Sequence, residues 1–174
     1  MVKYIPSRGD IVWLNFNPNQ GMSMDRPLSA VLLLEYVGTH FSGSQLQPNG
    51  ITIQHCLSQA FQQLGLVVQA IRFAGRTDAG VHALGQVVQC ILPSIPNYLK
   101  NRLQQALNAQ LPPQISIKNL AWCTDPHFHP TQHALWRAYQ YKILNTPHRT
   151  AWLPENALWV KHGLDTSAME AASK

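Results

Sequence analysis

The 174-residue chain carries 13 lysines and arginines against 8 aspartates and glutamates, a net charge of +5. Only 12% of its residues are charged, about half the usual ~25%, so the positive balance comes from few acids. It permits a phosphate-bearing partner without demanding one, and no block of like charges marks a basic arm. No apolar run approaches the ~20 residues of a membrane span, and the first residues lack a secretory pattern. Three widely spaced cysteines, Cys56, Cys90 and Cys123, suit neither a paired metal motif nor a disulfide framework. A soluble cytoplasmic protein, with no membrane association, is expected.

Residues 1–27 differ in character from the rest of the chain. Residues 11–16 (IVWLNF) read as a strand after Arg8, Gly9 and Asp10, and residues 17–21 (NPNQG) as a loop. From Leu28 the pattern becomes regular. Residues 28–36 (LSAVLLLEY) form the nearly continuous apolar run of a central strand. Residues 53–64 place Ile53, Leu57, Ala60, Phe61 and Leu64 at helical spacing, with Thr52 as N-cap and Gly65 as stop.

Residues 66–74 (LVVQAIRFA) and 85–91 (GQVVQCI) read as two strands. Residues 96–110 form a second helix, with Leu99, Leu103, Ala106 and Leu107 on one face and Leu111-Pro112-Pro113 ending it. Residues 115–122 are another strand. The order strand, helix, strand, strand, helix, strand predicts an α+β, ferredoxin-like (βαββαβ) antiparallel sheet backed by helices, a common RNA-binding surface. Residues 134–144 (ALWRAYQYKIL) alternate strictly, which predicts a further strand with Leu135, Arg137, Tyr139, Tyr141 and Ile143 on one face.

The stretch GRTDAGVHALGQVV from Gly75 joins the second strand to the third, and its first ten residues are too many for a tight hairpin turn. It sets Arg76 beside a lone carboxylate, Asp78, among glycines that allow positive φ or close approach of a ligand. Arg76 favours the ionised carboxylate and could equally hold a phosphate. Residue types alone leave two readings open, a local surface salt bridge or a reactive carboxylate.

The string itself is more specific. GRTDAGVHALGQVV resembles the signature loop of the tRNA pseudouridine synthase A family, in which the aspartate is the catalytic residue. Further matches come in the family's order: LEYVGTHFSGSQLQPNG from Leu34, ITIQ from Ile51, ALNAQLPPQISI from Ala106, Phe128-His129, and RAYQYKILN from Arg137. The resemblance covers roughly residues 31–170. It implies the N-terminal half of a pseudouridine synthase fold, tRNA as partner and substrate, isomerisation of uridine in the anticodon arm, a homodimer, and no metal or redox cofactor.

Residue by residue, the resemblance implies Asp78 as the catalytic carboxylate, acting covalently on sugar or base or by proton abstraction from the sugar. Tyr139, in the family's RxYxY strand, would lie against the uracil; packing in the core is its other reading. Arg76 would hold the backbone phosphate or position Asp78. Thr77, Gly80 and His82 would support the loop. His127 and His129 invite a metal reading, but no third ligand stands at a recognisable spacing, and no metal site is expected. Trp122, Trp136, Trp152 and Trp159 could stack bases, with core or sheet packing as the simpler assignment.

Three departures matter. Val37 and Ser44 replace an acid and a tryptophan that order the family's first loop, and Pro130-Thr131 replaces a basic residue expected to grip phosphate. The chain ends near the start of the family's second half, so a truncated member is expected, residues 28–174 forming its N-terminal domain. The absent part would supply a second ferredoxin-like repeat and a basic partner for the aspartate. Residues 1–27 resemble the opening strand and loop of MazF-type toxin endoribonucleases, down to Arg26-Pro27, and are read as an extension. Without the rest of a toxin, an RNA-cleaving activity is the remoter alternative, and a catalytically inactive tRNA-binding fragment the nearer one.

Overall fold

The computed structural model describes residues 27–152 and 156–173. The toxin-like stretch therefore lies outside the described residues, apart from Pro27. Strand β1 (Leu28–Tyr36) leads into α1 (Ile53–Gln63), β2 (Ala70–Phe73), β3 (Ala83–Leu92), α2 (Asn97–Lys100), α3 (Leu103–Gln110) and β4 (Ile115–Cys123). Short strands β5 (Lys142–Asn145) and β6 (Ala157–Val160) and helix α4 (Thr166–Ala172) follow. The main sheet has the order β2-β3-β1-β4 and every pairing in it is antiparallel, the ferredoxin-like arrangement the element order predicts. As its apolar run implies, β1 is central, flanked by β3 and β4.

Alternate residues of β1 (Ala30, Leu32, Leu34 and Tyr36) face the helices and are buried with Val88, Cys90 and Leu92 of β3 and Ile115 and Ile117 of β4. Helix α1 contributes Ile53, Leu57, Ala60 and Phe61, and the second helical segment contributes Leu99, Leu103 and Leu107. The other sheet face carries a smaller cluster of Val31, Ala74 and Val87 under Phe128. That face is bridged by the buried Gln89, whose Nε2 donates to Ser29 Oγ (2.9 Å) and the Phe128 carbonyl (3.2 Å).

The caps of α1 are those its sequence predicts. Thr52 Oγ1 accepts the His55 N–H at 3.2 Å, satisfying one of the donors a helix start leaves without an intrahelical partner. At the other end Gly65 has φ +70 and its N–H donates to Gln62 O, while Leu66 N–H donates to Phe61 O. This pair of bonds is a Schellman motif, whose customary apolar contact joins the two positions that Leu66 and Phe61 occupy. It also corrects the first of the two strands predicted around the long connection. Leu66 is buried as part of the helix cap, and the strand occupies only Ala70–Phe73.

Two other elements differ from expectation. The helix over residues 96–110 is interrupted at residues 101–102, where Arg102 N–H bonds to Leu99 O three residues back and tightens the chain before α3 begins. The strand over residues 134–144 shrinks to Lys142–Asn145, paired in parallel with β6. Alternation makes a strand only where a partner edge is available for its backbone groups. Among the described residues no strand pairs with 134–140, and Leu135 and Trp136 are exposed.

The outer edge of β4 is occupied by side chains of α3. Asn108 Oδ1 accepts from Ile117 N–H (2.8 Å) and its Nδ2 donates to Ile117 O (3.0 Å), so one amide stands in for a neighbouring strand. Gln104 Nε2 adds bonds to the carbonyls of Ile117 and Lys118. Such cover blunts an edge that would otherwise pair with another chain. Among the described residues no helix is long and apolar enough to cross a membrane.

Candidate active site

The link from β2 to β3 emerges beside the C-terminal end of β1, where Tyr36 pairs with Ala83. Its base is gripped at Thr77. Ser44, fully buried, accepts the Thr77 N–H at its Oγ (2.9 Å), while the Ser44 N–H donates to Thr77 O at 3.0 Å. The Ser44 hydroxyl proton points at the same carbonyl from 3.4 Å. From the sheet side Tyr36 Oη and Thr77 Oγ1 share a hydrogen bond of 2.8 Å. Thr77 is thus held through its N–H, its carbonyl and its hydroxyl, one residue before Asp78.

Glycines let the two loops approach this closely. Gly43 has φ +88, and a Cβ there would lie 2.7 Å from Thr77 O. A Cβ on Gly38 would overlap the Val81 carbonyl. The Gly38 N–H donates to His82 Nδ1 at 3.3 Å, and Gly80 N–H donates to Phe41 O at 3.1 Å. Beyond Thr77 the chain turns back on itself, Val81 N–H reaching Asp78 O at 3.2 Å. Gly80 occupies the third turn position with φ +78, a conformation glycine adopts without steric cost. Asp78, Ala79 and Gly80 are exposed at the tip, as is Arg76, whereas Thr77 and His82 are half-buried.

A second group closes the loop on its β2 side. Arg137 Nη2 donates to Ala74 O (3.0 Å) and to Thr131 O (2.8 Å), and its side chain lies against Gly75. Thr131 Oγ1 donates to Phe73 O at 3.0 Å, and the buried Gln86 donates through Nε2 to Gly75 O at 2.8 Å. Tyr139, half-buried, lies two residues past Arg137 in irregular chain instead of in the expected strand.

The result is an exposed carboxylate on a backbone that is fixed on both flanks. Asp78, Arg76, Thr77, Gly80 and His82 all belong to this one loop, and Arg137 ties the segment bearing Tyr139 to its base. Ser44, Tyr36, Arg137 and Gln86 escaped the sequence reading as site residues. A buried serine in a loop has no periodic signature, and Arg137 was legible as one member of an alternating strand and the first residue of RxYxY, with no site role attached.

The remaining candidates resolve otherwise. His127 and His129 lie in irregular chain after β4, where His129 Nδ1 accepts Thr131 N–H and His133 Nδ1 accepts His129 N–H. Among the described residues no group of three or more His, Cys, Asp or Glu side chains could hold a metal ion. Trp122 packs partly buried against the core with Lys100 Nζ 5.8 Å from its ring centre, and Trp159 Nε1 donates to Thr146 O. Trp136 and Trp152 are exposed, contrary to packing.

Comparison with known proteins converges on the same loop and sheet. A family model described as tRNA pseudouridine synthase matches residues 32–130. The tRNA pseudouridine synthase A of Thermus thermophilus is 43% identical over 144 residues, 82% of this chain and 55% of the relative. That of Paramagnetospirillum magneticum is 38% identical over 143 residues, again 82% and 55%. That of Fervidobacterium nodosum is 37% identical over 139 residues, 80% and 56%. The chain spans about half the length of these curated relatives. Matched over more than half its length and by relatives well above 30% identity, the chain belongs to the tRNA pseudouridine synthase family.

Proposed function

We propose that this chain carries the catalytic loop of a tRNA pseudouridine synthase and isomerises uridine in the anticodon arm of tRNA through Asp78. The observation that carries the reading is the exposed Asp78 at the tip of a loop whose base is fixed by Ser44 and Tyr36. In the isomerisation the N1–C1′ bond of uridine breaks and a C5–C1′ bond forms. C5 loses its proton and N1 ends with one, so no atom or electron is gained or lost. A carboxylate can serve by attacking the sugar, attacking the base, or taking a proton from the sugar.

The target base must leave its stack to reach a protein carboxylate, and an aromatic face offsets part of the lost stacking. Tyr139 takes that part in this reading, and Arg76, exposed two residues before Asp78, holds a backbone phosphate. Thr77, Gly80 and His82 keep the loop in shape. A cytoplasmic homodimer is the assembly proposed for the whole protein, and residues 1–27 are proposed as an extension to this unit.

The test is pseudouridine formation on unmodified tRNA by the full chain and by Asp78→Asn. Turnover that falls at least ~100-fold in the variant, at unchanged unfolding midpoint, supports the reading. Equal turnover in both proteins removes Asp78 from the chemistry. A folded chain that binds tRNA and forms no product overturns the synthase reading for this polypeptide and leaves binding alone.

A further inference from the structure

We infer that Ser44 and Tyr36 are positioning residues that set the orientation of the Asp78 carboxylate by immobilising Thr77 from two sides. The inference rests on the reading of Asp78 as the reacting group and adds to it the means by which this chain aims it. Ser44 stands where the resemblance leads one to expect a tryptophan, so the loop is held by hydrogen bonds where a large apolar ring would otherwise fill space.

The geometry is specific. Ser44 is 0% exposed and Tyr36 3% exposed, while Thr77 is half-buried, so the bonds between them are partly shielded from water and an unpaired group there is costly. Ser44 engages both backbone polar groups of Thr77, as a neighbouring strand would. Tyr36 engages the Thr77 hydroxyl at 2.8 Å. The Thr77 N–H belongs to the peptide unit before Thr77 and its carbonyl to the unit that leads into Asp78, so with the hydroxyl also engaged the backbone is tied on both sides of Thr77.

Gly43 is part of the same device. Its positive φ turns the chain so that Ser44 presents its N–H and hydroxyl together, and its missing Cβ leaves room for the Thr77 carbonyl. The same short segment is tied to the start of α1, since Gly43 O accepts Ile53 N–H and Ser44 O accepts Gln54 N–H. The grip on Thr77 is therefore backed by the first turn of a buried helix, a more rigid support than a loop alone.

The experiment uses the full chain and reads the loop directly. Amide exchange at Thr77 and the side-chain carboxyl ¹³C resonance of Asp78 are followed in wild type, Ser44→Ala, Tyr36→Phe and Thr77→Ser. Ser44→Ala is expected to speed Thr77 exchange ~10-fold or more and to broaden or split the Asp78 resonance. Tyr36→Phe is expected to alter the Asp78 resonance in the same way, and Thr77→Ser, which keeps the hydroxyl, to retain the wild-type signal. Core amides such as Val88 and Ile117 serve as the folding control. An unchanged Asp78 resonance and unchanged Thr77 exchange in Ser44→Ala would overturn the inference. Neither readout needs turnover, so it fails separately from the Asp78 reading, which the Asp78→Asn assay decides.

Discussion

Gly38 sits so close to Val81 that a side chain on it would occupy the space of the Val81 carbonyl. The turn after β1 and the far side of the Asp78 loop therefore share one surface at atomic contact. Gly38→Ala must displace one of the two, and a cost on the order of 1–3 kcal/mol is expected. Gly80→Ala meets no neighbour but keeps φ +78, which costs about 1–2 kcal/mol in a residue with a Cβ. Gly163→Ala, in open space without positive φ, should be neutral. Denaturant unfolding of the three variants checks the ranking.

Arg137 makes a different kind of attachment. Its guanidinium donates to Ala74 O and Thr131 O from an exposed position. Arg137→Ala should cost only about 0.5–1.5 kcal/mol of stability while freeing the chain that bears Tyr139. A raised KM for tRNA with a small change in unfolding midpoint is the expected result. A large loss of stability would show that the contact is part of the core instead.

Arg76 is proposed to meet a phosphate. Each phosphate contact contributes a salt dependence, with a slope of log K against log salt of about −0.7 to −0.9. Arg76→Gln should therefore weaken tRNA binding and flatten that slope by about this amount. Binding measured from low to physiological salt decides it.

The helix face of the sheet should dominate stability. Phe61 is fully buried between α1 and the sheet, and Phe61→Ala is expected to cost about 3–5 kcal/mol. Asn108→Ala leaves the Ile117 N–H without its present partner, while the Ile117 carbonyl keeps Gln104 Nε2, at about 1–3 kcal/mol. Equilibrium unfolding measures both.

The thiols offer a probe of packing. Burial pushes all three above the ordinary range, Cys90 furthest, at 0% exposure in the middle of the sheet. Since the thiolate is the reactive form, Cys123, the least buried of the three, should react first with a thiol reagent at about pH 8. Cys90 should label only as fast as the chain unfolds. Rapid labelling of all three would contradict the buried sheet.

The sequence by itself determined the order of elements, the central position of β1 and both caps of α1. These depend on local patterns: an apolar run, a 3.6-residue spacing, a Thr before a helix and a Gly after it. It also isolated the stretch around Asp78, because a string of that length admits few readings. Tertiary structure alone decided whether apolar or alternating stretches become strands. Leu66 is apolar because it closes the cap of α1, and residues 134–140 alternate without an edge to pair with among the described residues. The grip of Ser44 and Tyr36 on Thr77 was equally invisible. It joins residues 33 and 41 positions apart, and a hydrogen bond between segments so distant in sequence exists only once the sheet and α1 have brought them together.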